Sequence, residues 1–344
     1  MKIATSRWLR TVSCLVAALV AAAAFSTATT AHAGEPANVA ARPSPGCSAP
    51  HPTGTSNESF AGAGKSGTYL LDVPAATTPL PLVVDLHGYL EPAALEYAGT
   101  GLGSFGMANG FATVTPQLDE SGVPRWDFGE HSADIAYLSE LLTHVEATRC
   151  VDERRVYVTG LSMGAFTTSS LACQLADRIA AVAPVAGLQD FAWCDPARAV
   201  PMVAFHGTED PIVAYTGGVG PNAKYLPSAD GTGSAQRGDT RPSGVDGPGP
   251  ASIPDQAAAW ARREGCGTQP DRQQVTPDVV RYTYPCPEQT AVQLYAVLGG
   301  GHTWPGTASV ISPEPLVGRT TTAISANRII WDFFRDHPLP GAGK

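Results

Sequence analysis

The stretch RVYVTGLSMG, residues 155–164, decides the reading of this chain. Val156, Tyr157, Val158 and Thr159 are β-branched or aromatic and suit a buried strand. The run AFTTSSLACQLA (165–176) that follows is patterned as a helix. Between the two, Ser162 has Gly160 and Gly164 at two residues on either side. A chain that passes from strand to helix within so few residues must turn sharply, and flanking glycines let the two elements approach closely. The strained turn projects the Ser162 hydroxyl outward. Ser162 is therefore read as a nucleophile rather than as an ordinary turn serine.

Further apolar runs recur on both sides: TYLLDV (68–73), PLVVDLH (81–87), FATVTP (111–116), IAAVAPV (179–185), PMVAFH (201–206) and VQLYAVL (292–298). Several are apolar throughout, as strands covered on both faces should be. Helical patterns fall at 133–147, 163–177, 254–264 and 320–335, the last with Ala323, Ala326, Ile330, Phe333 and Phe334 on one face. Strand and helix in alternation predict an α/β fold, a mostly parallel central sheet with helices on both faces in a single domain. In such a sheet the reactive groups gather at the carboxyl ends of the strands.

A serine hydroxyl needs a base to take its proton and a carboxylate to orient that base. After PMVAFH comes HGTEDP, which offers Glu209 and Asp210, and Pro211 fixes the turn at Asp210. After VQLYAVL comes GGGHTWPG (299–306), in which Gly299, Gly300 and Gly301 give the loop conformational freedom to bring His302 to Ser162. The order serine, acid, histidine is the one this strand–turn–serine context calls for. Donors to a developing oxyanion are expected from the backbone N–H of Met163 and from the LHGYL loop, with Tyr89 as the second. His87, at the end of its strand, joins Trp126 and Trp304 as candidate substrate contacts. His206, beside Gly207, reads as packing at the base of its loop, while His51, His131, His144 and His337 default to solvent.

Composition narrows the compartment and the partners. Lys2, Arg7 and Arg10 precede an alanine- and valine-rich run that ends in Ala31-His32-Ala33, the pattern of a signal peptide over residues 1–33. No acidic residue lies among those 33, so losing the three basic ones takes the net charge from −9 to −12. An acidic product argues against nucleic acid and membrane as partners. The expected state is a secreted monomer whose partner is an ester substrate. Of seven cysteines, Cys14 lies in the leader; the other six, Cys47, Cys150, Cys173, Cys194, Cys266 and Cys286, are disulfide candidates. Cys266 with Cys286 is the first choice of pair, and no Cys/His spacing suggests a metal site or a cofactor. Residues 34–66 read as a loose N-terminal segment ahead of a catalytic domain over 67–340. Within that domain, 217–253 is an irregular excursion rich in Gly, Pro, Ser and Asp.

Together GLSMG, HGTEDP and GGGHTWPG resemble the bacterial extracellular esterase family that includes polyhydroxybutyrate depolymerases, feruloyl esterases and acetylxylan esterases. The similarity extends to RWDFG (125–129), ADIAYL (133–138), RCVDERRVYVTG (149–160) and CDPARAVPMVAFHG (194–207), nearly the whole mature chain. It implies an α/β-hydrolase fold, selects Asp210 over Glu209 in a triad with Ser162 and His302, and puts Trp304 at the active-site mouth. Met163-Gly164-Ala165 departs from the Asn or Ala followed by Gly-Gly of many relatives, and the 217–253 excursion is long for the family.

The expected reaction is ester hydrolysis through an acyl-enzyme. Feruloyl or related plant-wall esters come first, because the sequence to Lys344 leaves no room for the granule-binding domain common in depolymerases of solid polyester. Short-chain polyhydroxyalkanoate hydrolysis is the alternative. A secreted binding protein on a hydrolase fold is a third possibility, against which the intact Ser, Asp and His set argues. Tyr89, Trp126 and Trp304 offer faces for a phenolic acyl group, although packing explains an aromatic residue as often.

Overall fold

The run that holds Ser162 is the fifth of ten strands in one sheet, and its neighbours follow from the apolar stretches around it. The computed structural model describes residues 39–227, 251–307 and 313–341. The expected signal peptide, most of the 217–253 excursion and the segment shortly after Trp304 lie outside the described residues.

The chain enters the sheet as a hairpin, β1 (Gly54–Gly62) and β2 (Lys65–Val73), paired antiparallel. After β3 (Leu80–Leu86) come two short helices, α1 (Ala93–Thr100) and α2 (Leu102–Asn109), then β4 (Ala112–Leu118). Helix α3 (Ala133–Thr148) leads to β5 (Val151–Leu161), and α4 (Met163–Gln174) leads to β6 (Ala181–Val185) and β7 (Met202–Gly207). Beyond the excursion lie α5 (Ile253–Arg263), β8 (Asp271–Thr276), β9 (Val279–Thr283) and β10 (Val292–Val297). A single turn, α6 (Glu314–Val317), and α7 (Ala326–Asp336) complete the order.

Across the sheet the strands run β1-β2-β4-β3-β5-β6-β7-β10-β9-β8. The six central strands pair parallel, and the two flanks pair antiparallel. The parallel strands are buried on both faces: every residue of β6 and β7 is buried, which explains their unbroken apolar runs. One face packs Leu138, Leu141 and Leu142 of α3 with Leu171 of α4 and Trp260 of α5. The other packs Ile330, Phe333 and Phe334 of α7, where the Phe334 and Tyr157 rings stack at 4.5 Å. Each fully buried side chain of this size contributes about 1.5–3 kcal/mol by leaving water.

The structure departs from the sequence reading at the edges. Residues 34–66 are not uniformly loose, because Gly54–Gly62 is a nine-residue strand and Cys47 is joined to Cys150. The helix expected over 320–335 begins at Ala326, capped by the Ser325 hydroxyl, and Ala323 lies outside it and is exposed. All six candidate cysteines pair: Cys47–Cys150, Cys173–Cys194 and Cys266–Cys286. Among the described residues no helix is long and apolar enough to cross a membrane.

Candidate active site

Ser162 caps the N-terminus of α4 with φ 59° and ψ −117°, a conformation few non-glycine residues adopt. Its neighbours explain why the turn is possible. A Cβ on Gly164 would lie 1.9 Å from the Leu86 carbonyl oxygen, and one on Gly160 would lie 2.5 Å from the same atom. Helix α4 therefore closes directly on the end of β3. Met163 is the first residue of α4, so its N–H belongs to the helix-end donors that have no intrahelical acceptor.

Asp210 stands three residues beyond β7 and is buried. Its Oδ1 accepts the N–H groups of Ile212 and Val213 at 2.8 and 2.9 Å. Its Oδ2 lies 2.8 Å from His302 Nδ1 and 3.3 Å from His206 Nε2. Burial pushes the carboxyl up, but the two imidazoles outweigh it and hold Asp210 well below the usual carboxylate range. A carboxylate only accepts, so His302 Nδ1 carries the hydrogen and Nε2 is left as the basic nitrogen.

The loop that delivers His302 uses its glycines differently from one another. Gly299 alone of the three has positive φ, 65°. Gly301 is needed for space, since a Cβ there would lie 2.1 Å from the Val317 carbonyl oxygen, the atom that accepts the His302 N–H at 2.6 Å. Conformational freedom thus accounts for one glycine, and close contact with the 317–319 segment for another.

The Gly88 loop adjoins the serine: a Cβ on Gly88 would come 3.4 Å from the Ser162 Cβ. The Gly88 N–H donates to Glu91 Oε2 at 3.2 Å, and the Tyr89 hydroxyl donates to the Pro227 carbonyl at 2.9 Å, tying this loop to the start of the excursion.

The three candidate substrate contacts require correction. His87 is buried, its ring lies 4.7 Å from that of Trp126, and burial pushes its imidazole down to about 4. Trp126 donates its indole N–H to the His87 carbonyl, and Trp304 donates to Asn327 Oδ1 at 2.7 Å. Both indoles are 3% exposed, so in this structure they pack beneath the site and present no face for an acyl group to stack on.

A set of buried acids was not legible beforehand. Asp85 ends in the apolar run of β3, and Glu91 and Glu96 follow it; burial pushes Asp85 up to about 7, Glu96 well above its ordinary value and Glu91 upward. Thr100 donates to Asp85, and Asn327 donates to the Thr100 carbonyl, so a polar chain runs from Trp304 to the acids beneath the Gly88 loop. An Asp inside an otherwise apolar strand was the one sequence signal for it. Among the described residues no group of three or more His, Cys, Asp or Glu is arranged to hold a metal.

Comparison with known proteins places this geometry in context. No family model matches the sequence. Feruloyl esterase B of Piromyces equi is 27% identical over 271 residues, 76% of this chain and 42% of that protein. The bifunctional acetylxylan esterase/xylanase XynS20E of Neocallimastix patriciarum is 30% identical over 39% of this chain and 20% of its own length. Poly(3-hydroxyalkanoate) depolymerase C of Paucimonas lemoignei is 34% identical over 31% of this chain and 28% of its own. The chain thus spans less than half the length of each of these relatives. Among solved structures, an acetyl xylan esterase from Aspergillus awamori superimposes with a TM-score of 0.50 at 16% identity, covering 72% of this chain and 94% of that one.

Proposed function

We propose that this chain, similar in sequence to a feruloyl esterase, an acetylxylan esterase/xylanase and a poly(3-hydroxyalkanoate) depolymerase, is a secreted serine carboxylester hydrolase acting on plant cell-wall esters, feruloyl esters first. The observation that carries the reading is the 2.8 Å contact between His302 Nδ1 and Asp210 Oδ2, made by residues 92 apart in sequence, with a strained serine at the end of β5, two strands from β7 in the same sheet. In the proposed reaction His302 Nε2 takes the Ser162 hydroxyl proton as Oγ bonds to the ester carbonyl carbon. The Met163 and Tyr89 N–H groups receive the oxyanion. As the tetrahedral species collapses, the bond to the alcohol breaks and His302 returns the proton to it, leaving Ser162 acylated. Water, deprotonated by the same nitrogen, then attacks the acyl carbon, releases the acid and restores the hydroxyl.

The breadth of the first relative's match, across three-quarters of this chain, favours the feruloyl reading. The 34% identity to a depolymerase favours a second, short-chain polyhydroxyalkanoate hydrolysis. Three disulfides suit an oxidising compartment and support export. The test uses p-nitrophenyl acetate with wild type and Ser162→Ala, followed by methyl ferulate, acetylated xylan and amorphous polyhydroxybutyrate. We expect the variant to lose at least ~10³-fold in kcat and the wild type to release ferulate fastest. Equal rates for the two proteins would leave a binding role on a hydrolase fold; turnover of polymer without ferulate release would replace the substrate.

A further inference from the structure

We infer that His206 is a positioning residue of the proposed triad, a second imidazole that fixes Asp210 and shares its charge with His302. The inference deepens the esterase reading and rests on it. His206 closes β7, is 2% exposed and lies four residues before Asp210. Its Nε2 faces two oxygens, the Val213 carbonyl at 2.9 Å and Asp210 Oδ2 at 3.3 Å. Both are acceptors, so Nε2 carries a hydrogen; it is donated to the Val213 carbonyl, with the Asp210 carboxylate oxygen beside it. Nδ1, on the far side of the ring, is enclosed and has no hydrogen-bond partner. A ring held for packing alone has no need of a donor here. The hydrogen it donates satisfies the Val213 carbonyl and holds Nε2 beside Asp210 Oδ2.

The Asp210 carboxylate accepts three hydrogen bonds and has the His206 ring as a further close neighbour. Ile212 N and Val213 N hold Oδ1, while His302 Nδ1 and His206 Nε2 converge on Oδ2. The two imidazoles come from different elements, His206 from the end of β7 and His302 from the loop after β10, so the carboxylate plane is fixed from both sides. Charge withdrawn from Oδ2 by His206 is charge unavailable to stabilise a protonated His302. The two imidazoles thus share one carboxylate oxygen, and losing His206 would leave the Asp210 charge to act on His302 alone. The other titratable groups facing this set are Glu91, whose carboxyl acts electrostatically on His302 from the segment after β3, and Tyr215, whose ring lies 6.0 Å from His206.

The test is the pH dependence of kcat and kcat/KM for p-nitrophenyl acetate in wild type, His206→Phe and His206→Gln. Phe keeps the ring volume and removes the donor; the Gln amide reaches the position of Nε2 and restores it. For His206→Phe we expect the midpoint of the acidic limb to rise by about half a pH unit or more, with kcat reduced about tenfold and KM unchanged. His206→Gln should return the midpoint to the wild-type value. An unmoved acidic limb in a folded Phe variant overturns the inference, as does an equal displacement in both variants. If His206→Phe does not fold, His206→Asn, whose amide is too short to reach Oδ2, carries the same expectation. Ser162→Ala in each background separates the two levels: residual activity at the wild-type rate sinks the esterase reading, whereas a dead serine variant with an unmoved limb sinks only the role of His206.

Discussion

Glu264, far from the proposed chemistry, gives a quantitative test of how this fold tolerates buried charge. It follows the last residue of α5, is 4% exposed, and accepts a hydrogen bond from the Thr290 hydroxyl at 3.2 Å. Burial raises its carboxyl from 4.5 to about 7, only partly opposed by the Val200 N–H, Thr290 and the guanidiniums of Arg198 and Arg263. Between those two values the folded chain holds a proton that the unfolded chain has released. Stability from this group is therefore full below pH 4.5 and disappears as pH rises through 7. At ~1.4 kcal/mol per pH unit the loss is roughly 3 kcal/mol. Glu264→Gln copies the neutral acid and does not titrate. Urea unfolding at pH 4.5, 6 and 8, with disulfides intact, should find the two proteins equal at the lowest pH and the variant ahead by roughly 3 kcal/mol at the highest. A difference that does not change with pH would refute burial as the cause of the raised carboxyl.

Two other expectations concern stability. Cys47–Cys150 closes a separation of 103 residues and Cys173–Cys194 one of 21, so replacing each pair with Ala should cost about 4.7 and about 3.3 kcal/mol respectively in chain entropy; denaturant midpoints in the reverse order would show that native-state contacts dominate. Gly164→Ala should prevent folding or cost more than ~3 kcal/mol, because its Cβ would meet the backbone of β3. Gly99→Ala, in helix α1 with no atom within 4 Å of the added carbon, should stabilise by about 0.5–1 kcal/mol, and thermal melts of the two variants compare them directly.

What the sequence discloses follows what each element is made of. The buried parallel strands were legible within a few residues at their ends because burial on both faces demands unbroken apolar runs. Of the antiparallel flanks only β2, in TYLLDV, was. In β1 the inner and outer positions alternate through Thr55, Ser56, Asn57 and Glu58, and β8 is exposed along nearly its whole length, so neither has an apolar signature. Helix α2 escaped notice because GTGLGSFGMANG (99–110) is rich in glycine and forms helix through packing rather than propensity, and α1 because AALEYAGT is only eight residues long. At the site, residue order and strand ends indicated Ser162, Asp210 and His302. The three hydrogen bonds and the second imidazole around Asp210, and the acids under the Gly88 loop, depend on turns that only three dimensions reveal. The aromatic residues named for substrate contact illustrate the converse: an indole is equally at home in a core.

The three disulfides share a topological property with consequences for a protein exposed to proteases. Each joins residues on the same side of the 228–250 region: two lie wholly before it and one wholly after. A single cleavage there would yield two covalently independent fragments, the first carrying Ser162 and Asp210, the second His302. Only noncovalent contacts would hold such a nicked molecule together: the six-residue register between Met202–Gly207 and Val292–Val297, and the packing of α5 and α7 on the two faces of the sheet. The proposed triad is in effect split between two fragments, and its reassembly depends on that seam and those two helices.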